Sequence, residues 1–129
     1  DFFSDLPRED VIDIEGNKVL VTHGHYYGVS MAFDQLADAA KQRGCNAAFF
    51  GHIHVPVLEK EDGILLVNPG SLAFPRQRGR RPSYAVLETD GNGGMDVEIR
   101  YLEIRNAAEL YTLRQTKRRL YNIYRRHMN

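Results

Sequence analysis

The chain has 129 residues, 43% of them hydrophobic and 26% charged, with 17 basic and 17 acidic side chains and no formal net charge. This is the composition of one globular domain; it excludes a disordered segment. No apolar run reaches the roughly 18 residues that span a bilayer, no signal peptide is visible, and the single cysteine, Cys45, excludes an internal disulfide.

Asp1 to Asp10 is acidic and aromatic, with Asp5-Leu6-Pro7 as a turn. Val11 to Glu15 reads as a strand with one buried face, and Gly16-Asn17 as the hairpin turn that follows it. Lys18 to Thr22 is apolar almost throughout, as in a strand covered on both faces, and it ends in His23-Gly24-His25. Ser30 is placed as an N-cap for a helix carrying Met31, Phe33, Leu36, Ala37 and Ala40 at helical spacing and closed by Gly44. Cys45 reads as a small buried filler at the junction with the next strand, Asn46 to Phe50, which ends in Gly51-His52-Ile53-His54.

A strand, a helix and a strand in about 30 residues form a β-α-β crossover, so the two strands should be parallel. Both His-x-His pairs then emerge at the carboxyl end of the sheet, where open α/β sheets bind ligands. On an extended segment, residues two apart share a side, so His52 and His54 are expected to face one site together. Four of the five histidines lie in these pairs. Neutral imidazole is the commonest metal ligand, and the pattern points to half of a metal site. A closed structural zinc site of four histidines is the weaker alternative, because such sites usually recruit thiolates.

Further on, Val57 to Lys60 and Ile64 to Val67 read as a hairpin around Glu61-Asp62-Gly63, leading into Asn68-Pro69-Gly70-Ser71. A basic loop follows, Arg76 to Arg81, whose guanidiniums suit bidentate phosphate binding; a solvated turn is the alternative. Ser83 to Thr89 and Asp96 to Glu103 form a second hairpin, and Ala107 to His127 an amphipathic helix. Residues 106–129 hold six basic and one acidic side chain against 11 and 16 in residues 1–105, so the tail is chemically distinct. The expected division is 1–104 as the body and 105–129 as a basic helical tail. That tail is expected to dock on protein, either the body or a twin chain in a homo-oligomer; RNA and a membrane surface are the other candidates.

Thr22-His23-Gly24-His25, Gly51-His52-Ile53-His54-Val55-Pro56 and Asn68-Pro69-Gly70-Ser71, in this order and spacing, resemble the C-terminal half of the calcineurin-like metallophosphoesterase superfamily. The likeness is to the small bacterial phosphodiesterases of the YfcE type, over roughly Asp1 to Glu103. It implies an α/β sandwich of two sheets flanked by helices, here the C-terminal part of that fold with an added amphipathic helix. It implies two divalent metal ions, manganese foremost and zinc, iron, cobalt or nickel as alternatives. The reaction implied is phosphodiester hydrolysis by metal-activated hydroxide, on a small-molecule or nucleotide substrate, in the cytoplasm. Carried over by motif position, His23 and His52 would serve one metal and His54 the other. His25 falls near the substrate. Asn68 and Ser71 hold the turn that shapes the site wall, and Arg76 and Arg78 are the phosphate-binding candidates. The family's upstream Asp-x-His, Gly-Asp and Gly-Asn-x-Asp ligand motifs do not occur here, except that Asp1 matches the last residue of the third. The resemblance therefore implies a truncated phosphodiesterase, inactive alone. A non-catalytic protein-binding scaffold of the same fold, like the retromer scaffold subunit, is the alternative.

Overall fold

The computed structural model describes residues 7–103, 106–109, 111–112 and 114–115. Seven strands and a helix precede the tail: β1 Glu9–Ile14, β2 Asn17–Thr22, α1 Asp34–Gln42, β3 Ala47–Phe49, β4 Pro56–Glu61, β5 Ile64–Pro69, β6 Ser83–Thr89 and β7 Met95–Tyr101. The first five strands form one sheet in the order β1-β2-β3-β5-β4, and β6 and β7 form a second. β2, β3 and β5 are parallel, so their carboxyl ends share one edge of the sheet. β1 and β4 pair antiparallel on the flanks.

Register explains the burial. Leu20, Ala48 and Leu66 lie side by side across β2, β3 and β5, and they pack with Leu36, Ala37 and Ala40 of α1. Alternation puts Val19, Ala47 and Leu65 on the opposite face. Val19 and Ala47 are fully buried, and the β6–β7 hairpin packs against β5 and β4 of the same sheet. The result is a mixed α/β sandwich of two sheets with a helix on one side.

Several local expectations change. The β1–β2 turn is Glu15-Gly16, with φ of 47° and 89°, and not Gly16-Asn17. Two successive positive φ values make the turn that matches strand twist. Asn17 is instead buried in β2, its amide donating to the Ile14 carbonyl and its Oδ1 accepting from Asn46 Nδ2 at 2.9 Å. The next hairpin tightens in the same way onto Asp62-Gly63. Ser30 does not cap α1: the helix begins at Asp34 after Phe33, and Met31 is 91% exposed. The left-handed Gly28 folds residues 28–32 into a separate turn, with the Met31 and Ala32 amides bonded to the Gly28 carbonyl. Gly44 does close the helix, its amide on the Lys41 carbonyl and that of Cys45 on the Ala40 carbonyl. β1 buries neither face: Val11 and Ile12 are 36% and 37% exposed, because β1 is an edge strand with β2 as its one partner among the described residues. Residues 107–109, 111–112 and 114–115 are helical, and the Asn106 side chain caps the Glu109 amide. The rest of the expected 107–127 helix lies outside the described residues. Among those described, no helix is long and apolar enough to cross a membrane.

Candidate metal centre

Three loops leave the shared sheet edge. After β2 the chain passes through His23, Gly24 (φ 102°) and the short 3-10 turn His25–Tyr27. Glycine is required at position 24: a Cβ there would come within 3.1 Å of Val29 and would have to sit at a left-handed φ. After β3, Phe50 and Gly51 lead into His52. The Gly51 amide donates to the His23 carbonyl at 3.1 Å, which ties the two histidine loops together.

The His52–His54 stretch is not extended, as the i, i+2 argument expects. His52 and His54 have φ of 71° and 58°, and the Ile53 amide closes back on the Gly51 carbonyl at 2.9 Å. This is a γ-turn centred on His52 in its rare positive-φ form. Left-handed, non-glycine residues are costly and concentrate at functional sites. Ile53, between the two rings, packs against the core and anchors the strained turn.

The two imidazoles of this turn take different partners. The His52 ring lies 4.9 Å from that of His23 and 6.1 Å from that of His25. His23 and His25 are 4.8 Å apart, with their Nδ1 atoms at 2.8 Å, so one Nδ1 carries a proton that the other accepts. His54 is turned to another wall, its Nδ1 2.9 Å from the Phe74 carbonyl oxygen. A carbonyl only accepts, so the proton sits on His54 Nδ1 and its Nε2 keeps the lone pair. That is the arrangement by which metal-binding histidines are usually oriented. Desolvation, and then the proximity of His52, His25 and His54, hold the His23 pKa below its ordinary value and favour the neutral, donating ring.

The third loop forms the wall. Asn68, fully buried, donates to the Gly51 carbonyl at 3.0 Å and accepts from the Gly70 amide at 2.9 Å. Ser71 Oγ accepts from the Phe74 amide at 2.9 Å. The Arg76 amide reaches the His54 carbonyl at 3.0 Å, so the basic loop starts beside that histidine. Arg76 and Arg78 are exposed, whereas Arg81 pairs with Glu103 at 3.9 Å. Phe74 carries no sequence signal for this site, because it acts through its backbone.

The donors are therefore imidazole nitrogens, which suit a transition-metal ion. As they stand, no three His, Cys, Asp or Glu side chains among the described residues converge tightly enough to enclose one. Among the described residues, the cluster fits the nitrogen portion of a metal site without its carboxylates.

The calcineurin-like phosphoesterase superfamily domain matches residues 1–92. The probable metallophosphoesterase YsnB of Bacillus subtilis is 36% identical over 92 residues, covering 71% of this chain and 54% of its own length. Phosphodiesterase YfcE of Escherichia coli is 32% identical over 84 residues, covering 65% of this chain and 41% of itself. Among solved structures, a predicted phosphoesterase from Streptococcus pneumoniae superposes with a TM-score of 0.66 at 32% identity, over 74% of this chain and 54% of that one. The chain thus spans about half the length of the curated relatives it matches.

Proposed function

This chain belongs to the calcineurin-like phosphoesterase superfamily, and we propose that it forms the histidine portion of a metal-dependent phosphodiesterase site. One observation carries the reading: the His23, His25 and His52 rings gather at the carboxyl ends of β2 and β3, with His54 held by Phe74 in the tautomer that leaves Nε2 free to donate.

In this proposal His23 and His52 bind one divalent ion and His54 a second, with manganese preferred over zinc, iron, cobalt or nickel. Bound ions of this kind supply Lewis acidity and lower the pKa of water. The remaining roles belong to the chain's own side chains. His25, exposed and bonded to His23, stands where it can hydrogen-bond a phosphoryl or leaving-group oxygen. Arg76 and Arg78, on the exposed loop that begins at the His54 carbonyl, are placed to grip substrate phosphate bidentately. Asn68 and Ser71 keep the wall in register by the hydrogen bonds already described. The substrate is a phosphodiester, a small molecule or a nucleotide, met in the cytoplasm. Residues 105–129 form a basic helical tail that docks on protein, either the body of this chain or a second copy.

Among the described residues the cluster holds no carboxylate; in this proposal the imidazoles bind metal, and turnover needs oxygen ligands in addition. Calorimetric titration with Mn2+ tests this. His52→Ala and His54→Ala are each expected to weaken binding at least about 10-fold. Unchanged binding in both variants overturns the reading and favours a non-catalytic scaffold.

A further inference from the structure

Among the described residues, Arg114 of the basic tail reaches the loop that carries Phe74. Arg114, on the helical residues that follow Asn106, donates from Nε to the Ala73 carbonyl at 2.9 Å. Its guanidinium also lies over the Phe74 ring, 4.5 Å from the centroid. This contact joins residues 41 positions apart, across the boundary between body and tail.

Its consequence follows from the geometry of one peptide group. The Ala73 carbonyl and the Phe74 amide belong to the same plane. Arg114 holds the oxygen of that plane, and Ser71 Oγ holds its N–H at 2.9 Å. With both ends anchored, the plane has one orientation. The next carbonyl along, that of Phe74, is the one that accepts the His54 Nδ1 proton. The Arg76 amide then takes the His54 main-chain carbonyl at 3.0 Å, so residues 73–76 grip His54 at both side chain and backbone.

We infer that Arg114 is a positioning residue for His54, acting through the Ala73–Phe74 peptide to keep Nδ1 protonated and Nε2 available as a donor. The tail thereby sets the orientation of one ligand of the site. The effect on metal binding rests on the phosphoesterase reading above; the hydrogen-bonded coupling does not.

The test is long-range 1H–15N correlation spectroscopy of the four paired histidines in the metal-free chain. In the wild type His54 is expected as a single Nδ1–H tautomer. In Arg114→Ala it should become a mixture of tautomers, with His23, His25 and His52 unchanged, which a general loss of structure would not produce. Phe74→Leu, which keeps the carbonyl and an apolar side chain but removes the ring under the guanidinium, should move His54 in the same direction. A His54 signal that stays a single Nδ1–H tautomer in both variants overturns the inference. Mn2+ titration separates the two readings, with a dissociation constant expected to rise about 10-fold in Arg114→Ala. A tautomer shift without Mn2+ binding in any variant sustains the coupling and removes the metal role.

Discussion

Asn68 Nδ2 donates to the carbonyl oxygen of Gly51 at 3.0 Å, joining the end of β5 to the glycine that precedes His52. The same side chain accepts the Gly70 amide and has no solvent exposure. Asn68→Ala leaves two backbone groups unpaired in a buried setting, at about 1–3 kcal/mol each. We expect a loss of roughly 2–6 kcal/mol in urea unfolding. Asn68→Asp should be no better, because it keeps the acceptor, loses the donor and buries a charge.

Gly70 and Ser83 form a second tight contact. Gly70 has a φ of 80°, and a Cβ on it would collide with the Ser83 hydroxyl. That hydroxyl is buried without a hydrogen-bond partner among the described residues. Ser83→Ala should therefore be neutral or slightly stabilising, while Gly70→Ala destabilises by more than about 1 kcal/mol. In the double variant the Ser83 change recovers part of the Gly70 loss, leaving the cost of the left-handed backbone. A double-mutant cycle by thermal denaturation reads the coupling directly.

Glu9 gives the acid limb of stability. Its carboxylate accepts from the Tyr27 hydroxyl and pairs with Arg43 at 2.5 Å, fastening β1 to the loop after His25 and to the end of α1. The Tyr27 hydrogen bond, and then Arg43, outweigh desolvation and hold its pKa below the ordinary 4.5. The folded value lies below the unfolded one. The contribution is therefore complete above about pH 4.5 and disappears as pH falls through the folded value. Glu9→Gln should be less stable at pH 7 by no more than about 1 kcal/mol, since the site is one-third exposed, and should show a flatter loss below pH 4.5. Chemical denaturation from pH 3 to 7 is the measurement; equal slopes for both proteins would contradict it.

The β1 edge bears on handling of the protein. Val11 and Ile12 are exposed on a strand with one free side among the described residues. Ile12→Lys should change stability by less than about 0.5 kcal/mol. It should also lower self-association in analytical ultracentrifugation, since an inserted lysine blunts an exposed strand edge.

Much of the fold was legible in short-range pattern. The apolar runs ending at Thr22 and Phe50, with the spacing of Leu36, Ala37 and Ala40 between them, specify two parallel strands and a crossover helix. These place both histidine pairs at one sheet edge on local pattern alone. Boundaries failed where a single residue had a stronger tertiary partner than its local preference. Asn17 left the turn to bridge Asn46. Ser30 lost its cap role to the turn begun by Gly28.

By itself, the sequence determined which sheet edge presents the two His-x-His pairs, because periodicity and strand-helix-strand spacing encode burial and direction locally. Tertiary structure decided how those residues are held. The left-handed backbone at His52 and His54, the His54 tautomer set by Phe74, the Asn68 link to Gly51 and the reach of Arg114 to Ala73 all depend on partners distant in the chain. Hydrogen bonds to backbone carbonyls leave no mark on the identity of the residue that supplies the carbonyl, so only the folded geometry reveals them.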